Sequence, residues 1–336
     1  MVNRIHLLIF WLAMLLLHAC ASIYSVVEFE VLQPATVSIP ENVQQLLILN
    51  RAPISMDVFE ERDIKGVDHK QLIMLDTFIV NNLERGLLEV LQGSPIDRFR
   101  TPFWLTDRRL DTSAMDDLIL TRREVDAICT EWGGDAIICL ESYSMDYDEH
   151  IQNYSDSDYP QTAYYEISSI IKWNIYLPGS PRPFDSYTMV DTLFFTEVQD
   201  GLLIRRYHTS EMLKEAFFVS GKKYGRYLVP VWNHASRILF KGDEKALREA
   251  SKLTSQGDWD KAYIVWEEMS ESVDSTASAK ALYNMAIFHE LEDHLDSANL
   301  LVNEALKRDT LELIRAYKEE IDTRILNRKE LYKQVR

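Results

Sequence analysis

Residues 121–141, TRREVDAICTEWGGDAIICLE, hold a helix start, a helix stop and a buried strand in one short run. Thr121 and Glu124 have the spacing of a capping box, in which the Thr hydroxyl and the Glu carboxylate satisfy free amides of a first helical turn. The helix this begins should run to Trp132. Gly133-Gly134 ends it, because glycine accepts the left-handed conformation that closes a helix. Asp135 to Glu141, DAIICLE, is then a continuous apolar run of strand length, the profile of a strand covered on both faces.

The chain on either side repeats that alternation. Upstream, Gln45 to Asn50 is a second short apolar run, followed by Arg51-Ala52-Pro53, and reads as the first central strand. From Lys65 to Leu91 apolar residues recur at spacings of three and four, predicting a helix that Gln92-Gly93-Ser94-Pro95 stops. A strand is expected around Arg98 to Leu105. The lead from Ala21 to Pro40, with Val27, Phe29 and Val31 on one face, suits an edge strand joined to the same sheet. Downstream, Tyr164 to Leu177 puts Ile167, Ile171, Trp173, Ile175 and Leu177 on one face. Pro178 to Asp185 connects it to a returning strand, Ser186 to Thr196. Strand and helix in this order predict an α/β domain over residues 21–200, sandwich-like, with a mixed sheet extended by a hairpin over 164–196. Asp191 shares its face with Met189, Leu193 and Phe195, which favours a hairpin outside the membrane.

Between the second buried strand and the hairpin lies Glu141 to Pro160, acidic and rich in tyrosine, without Lys or Arg. Asp146, Asp148, Glu149, Asp156 and Asp158 offer hard oxygen ligands, but the spacing and glycine of a helix-loop-helix calcium site are missing. A solvated loop is expected. Cys129 and Cys139 fall in helix and strand positions that read as core, so two free buried thiols are expected rather than a bridge.

The run from Val125 to Leu140 resembles the corresponding turn in the amino-terminal domain of TolB and in curli-secretion lipoproteins, a small envelope α/β domain used for binding and assembly. From Ser210 onward the sequence reads as all helix. There Ser255-Gln256-Gly257-Asp258-Trp259-Asp260-Lys261-Ala262 resembles the inter-helix turn of a tetratricopeptide repeat. A second copy runs through Asn284-Met285-Ala286, Asp293 to Ala298 and Ala305. Small residues are needed where helices cross closely, and Ala250, Ala262, Ala286, Ala298 and Ala305 fall there. Repeats are expected over 243–276 and 279–310, in an all-α domain spanning 201–336. A helix around Pro230 to Phe240 and another over 311–334 should cap the stack. The resemblance implies a concave wall carrying Leu247, Ser251 and Thr254 from one repeat, and Lys280, Tyr283, Ile287 and Glu290 from the next, as a groove for a protein partner.

Location is read from residues 1–20, MVNRIHLLIFWLAMLLLHAC. Arg4 precedes an apolar run from Leu7 to Leu17, too short as a helix for a hydrocarbon core of roughly 30 Å. Leu17-His18-Ala19-Cys20 resembles a bacterial lipobox, which implies cleavage before Cys20 and acylation of its thiol, hence membrane attachment through lipid. Ala21-Ser22 carries no aspartate retention signal, and the next residues carry no acidic cluster. By resemblance to Gram-negative lipoproteins, the protein should reach the outer membrane and face the periplasm. The order of lipobox, α/β domain, hairpin and short repeat tail resembles an uncharacterised lipoprotein family of the Bacteroidota.

Composition narrows the activity. The chain has 336 residues and a net charge of −17, which repels phosphate backbones and argues against nucleic acid. An electrostatic partner is expected to be basic, or a cation. Motifs for nucleophilic hydrolysis, zinc proteolysis or phosphate binding are missing, and the histidines are scattered; His289 and His294 straddle the repeat turn. No enzyme, cofactor or metal site is expected. The sequence points to a non-enzymatic scaffold, with a subunit of an export or pore assembly as the alternative, and an enzyme built from distant residues a weaker third.

Overall fold

The computed structural model describes residues 24–53, 69–96, 99–107, 119–152, 161–199, 209–242 and 244–335. The expected signal and Cys20 lie outside them, as do Asp156 and Asp158. The chain divides into two units, one containing residues 34–231 and 331–336, the other residues 1–33 and 232–330. Among the described residues no helix is long and apolar enough to cross a membrane.

The first unit is built on a five-stranded mixed sheet. Its strands are β2 (Leu46–Asn50), β3 (Phe103–Thr106), β4 (Ala136–Gln152), β5 (Gln161–Tyr176) and β6 (Asp185–Gln199), in the order β3-β2-β4-β5-β6. β2 is parallel to both neighbours, and β4, β5 and β6 run antiparallel. Successive residues of a strand face opposite ways, and β2 shows it. Leu46 and Ile48 join the core under helices α1 (His69–Gly93) and α3 (Thr209–Leu228). Leu47 and Leu49 join a second core with Val125 and Cys129 of α2 (Arg122–Trp132) on the opposite face. Burial on both faces is what the unbroken apolar run required.

The capping box forms. Glu124 N donates to Thr121 Oγ1, Thr121 N donates to Glu124 Oε2, and Gly133 closes the helix at φ 67°. Asp135 then ties β4 to β2, accepting from the amides of Gln44 at 2.9 Å and Gln45 at 2.8 Å; those bonds hold its carboxyl below the usual range. Asp191, the acid on the hairpin's apolar face, is paired with Lys223 Nζ of α3 at 2.6 Å. Both cysteines are free and buried, and burial pushes the Cys129 thiol up to about 11.

The acidic stretch is not the loop that was expected. Glu141 to Gln152 continues β4, while 153–160 lies outside the described residues. Tyr143, Met145 and Tyr147 turn inward and Ser144 and Asp146 outward, a strand alternation that the density of acids hides.

The second unit is helical except for one ribbon. α4 (Lys245–Ser255), α5 (Trp259–Ser270), α6 (Ser275–Leu291) and α7 (Leu295–Arg308) form two consecutive helical hairpins, followed by α8 (Glu312–Gln334). Ala250, Ala262, Ala286, Ala298 and Ala305 are all fully buried, where close helix crossings need them. The hairpin turns match. Gly257 takes φ 82° and Asp293 φ 57°, the one non-glycine residue with positive φ among the described residues.

Two sequence expectations fail here. Pro230 to Phe240 is not a helix but a strand, β7 (Val231–Phe240), and the lead β1 (Tyr24–Gln33) pairs with it rather than with the main sheet. β7 alternates in burial, yet its half-buried side carries Asn233, Ala235 and Arg237, so the residues lack an apolar period of two.

Candidate functional site

Four of the seven residues expected along an open concave wall are core. Leu247, Tyr283, Ile287 and Glu290 are each at most 1% exposed. The chain's own ribbon occupies that wall. Tyr283 O–H donates to Ile238 O at 2.7 Å. Asn284, also buried, accepts from Phe240 N at 2.9 Å and donates to Phe240 O at 2.8 Å, so its amide imitates a neighbouring strand. The Phe240 ring meets Tyr283 edge-on at 5.0 Å.

At the far end the contact is ionic. Glu290 accepts from Arg237 Nε and Nη2 of β7 and from Arg324 Nη1 of α8, all at 2.8 Å. Both guanidinium groups lie over the Phe29 ring of β1, at 5.4 and 5.8 Å. Burial alone would lower the Arg237 pKa, but the hydrogen bonds and charge of Glu290 outweigh it and raise it. A carboxylate with no exposed side chain is tolerable because it is paired on both oxygens.

Ser251, Thr254 and Lys280 remain at least partly exposed. Lys280 is held by Glu244 at 3.0 Å, beside a small pocket. Ser251 and Thr254 line a larger cleft of about 610 Å³ between the start of β1, the end of β7 and α4. Ser25, Val26, Val27 and Glu28 all line it. Neighbouring strand residues face opposite ways, so four in a row place the edge of β1 along the cleft. Lys241, Arg248, Lys252 and Trp259 line it as well. Ser25 Oγ is buried there without a hydrogen-bond partner. The charged residues of the lining are Lys241, Arg248, Lys252 and Glu28.

A second polar cluster lies in the sheet unit, where β2 gives way to Arg51. Arg51 Nη1 reaches Glu141 Oε2 at 3.4 Å, and Tyr176 O–H donates to Glu141 Oε1 at 2.5 Å. Asn174 Nδ2 donates to the same oxygen at 3.0 Å, and Ser186 Oγ donates to Asn174 Oδ1 at 2.7 Å. Burial and Glu141 together push the Tyr176 phenol well above its ordinary range, so it stays protonated and donating at neutral pH. Most of these bonds run within the cluster, Tyr176 Oη also accepting from Leu120 N at 3.3 Å, and they tie β4 to β5 and to the residue that follows β2. Nothing in Arg51-Ala52-Pro53 or in the acidic stretch marked the cluster in sequence, because its members are far apart in the chain.

The His289 and His294 rings do approach, with centroids 6.1 Å apart. Burial, then the neighbouring His294, lowers the His289 pKa. Among the described residues no group of three His, Cys, Asp or Glu side chains could hold a metal ion, and Asp146 and Asp148 are strand residues of β4.

The family described as Domain of unknown function (DUF8603) matches residues 43–240, more than half of the chain, and the chain belongs to it. A second, described as Domain of unknown function (DUF6340), matches residues 248–323. No curated protein matches. Among solved structures the chain is similar to a neuraminyllactose-binding haemagglutinin homologue from Helicobacter pylori, at 11% identity and a TM-score of 0.29, covering 66% of this chain and 91% of that one. It is also similar to protein XCC0632 from Xanthomonas campestris, of family DUF330, at 11% identity and a TM-score of 0.18, covering 58% and 88%. Scores this low carry no argument about either unit.

Proposed function

We propose that this member of the DUF8603 family is a lipid-anchored protein of the outer membrane's periplasmic face. In this reading it holds an extended, acidic segment of a partner protein and performs no chemistry of its own. The observation that carries the reading is the cleft beside β1. A strand edge offers backbone hydrogen bonds to an added strand, Arg248 and Lys252 suit its acids, and Trp259 suits an apolar side chain. The acidic net charge favoured a basic partner, but a partner meets the local lining, where Lys241 and Lys252 stand with Glu28.

Further support for a repeat-type scaffold comes from the paired turns at Gly257 and Asp293 and from the fully buried alanines of both helical hairpins. The tetratricopeptide reading keeps these features and gives up the open groove. The lipid anchor rests on the lipobox ending at Cys20, and the first described strand begins only four residues later. Four extended residues span at most about 14 Å, so β1 would work close to the bilayer.

The test is a titration of the full chain, in detergent, with a labelled peptide alternating glutamate and valine. Wild type should bind it, a lysine-valine peptide should not bind, and Arg248→Glu with Lys252→Glu should weaken binding at least tenfold. Affinity should also fall as salt screens the cleft. Equal binding of both peptides, or binding unchanged by the double charge reversal, would remove the cleft from the function.

A further inference from the structure

β6 closes one side of the main sheet with a long edge whose inward-pointing charge, Asp191, is neutralised by Lys223 of α3. It is 15 residues long, DSYTMVDTLFFTEVQ, without Lys, Arg or Pro, and its ladder with β5 runs from Asp185 to Gln199 with no break in register. Among the described residues no strand pairs with its outer edge. The face away from α3 exposes Val190 at 72% and Phe194 at 71%. Ile170 of β5, which pairs with Val190, is 50% exposed beside them. An edge with no strand partner among the described residues, beside exposed apolar side chains, describes a place for another strand.

We propose that β6 pairs antiparallel with β6 of a second copy of this chain, with Thr192 opposite Thr192, forming a two-fold dimer through a continuous sheet. The side chains of β6 itself argue for this occupant. In that register all fifteen residues overlap. Val190 lies opposite Phe194 of the second copy and Thr188 opposite Thr196, pairs of β-branched and aromatic residues that stabilise adjacent strands. In this register Asp191 lies opposite Leu193, whereas a slip to Asp191 opposite Asp191 would set like charges together. Leu193 opposite Leu193 also separates the two Asp191 but drops Asp185 and Ser186 from the overlap, so charge and overlap together favour the Thr192 register, and two-fold symmetry closes the assembly at a dimer. The proposal involves neither the cleft nor the lipid and stands or falls apart from them.

Thr192→Cys tests it directly, because opposite residues on paired strands hold their Cβ atoms about 5 Å apart, within disulfide reach. Under mild oxidation of the full chain in detergent, Thr192→Cys should form a covalent dimer at least tenfold faster than wild type, which controls for Cys20, Cys129 and Cys139. Val190→Cys should not, because its symmetry mate lies four residues along, roughly 13 Å away. Val190→Lys with Phe194→Lys, at exposed positions, should keep the circular dichroism of wild type and halve the mass in sedimentation. A wild-type mass of one chain, Thr192→Cys no faster than wild type, or Val190→Cys as fast as Thr192→Cys would each overturn the proposal.

Discussion

Glu290 shows what a single residue is asked to do. It lies on the face of α6 where the repeat spacing puts it, yet it is an interior anion shared by Arg237 and Arg324. Removing it would leave Arg237 with only Glu320 and Arg324 with only Asp293, both more exposed carboxylates, and breaking a buried pair costs about 3–5 kcal/mol. Urea unfolding of Glu290→Ala should therefore show a loss of that size. A loss under about 1 kcal/mol would mean that water replaces the carboxylate at no great cost and that the ionic anchor of the ribbon is incidental. The sequence made Glu290 visible as a position but not as a buried charge. Arg237 was assigned to a helix, and Phe29, which carries both cations, to another sheet.

Elements were legible where one segment carried its own signal. Thr121, Glu124 and Gly133 state the bounds of α2 locally, and the apolar run of β2 states its double burial. β7 states nothing, because its half-buried side carries Asn233, Ala235 and Arg237, whose partners are Gln33 and Glu290. Nor did the sequence show how closely α1 and α3 approach. A Cβ at Gly221 would fall 1.9 Å from Leu83 O, and one at Gly86 would fall 2.0 Å from Phe218 O, so each glycine makes room for the other helix's backbone. A carbonyl in a helix cannot swing aside as a side chain can. Gly221→Ala should destabilise the protein by about 1–3 kcal/mol through overpacking, although alanine is the better helix former. A thermal melt at or above wild type would show that the two helices separate without penalty.

At the scale of the molecule, the candidate site moved because of what fills the helical groove. The repeat spacing pointed to Leu247, Tyr283, Ile287 and Glu290 as one wall, but β7, which comes before the helical hairpins in the chain, packs against Tyr283, Asn284 and Glu290 of that wall. What remains open is the cleft at the ribbon's edge, where Ser251 and Thr254 survive from the expected set and Lys241, Arg248, Lys252 and Trp259 join them. Only Ser251 and Thr254 were foreseeable, since the cations gain meaning from β1, which lines the same cleft. Hydrogen exchange of the full chain, with and without the glutamate-valine peptide, tests this relocation most directly. Bound peptide should slow exchange in residues 25–28 and 248–259 and leave 231–240 and 280–290 as slow as in the free protein. Faster exchange in 231–240 together with altered exchange across 280–290 would mean that the partner displaces the ribbon and takes the groove itself.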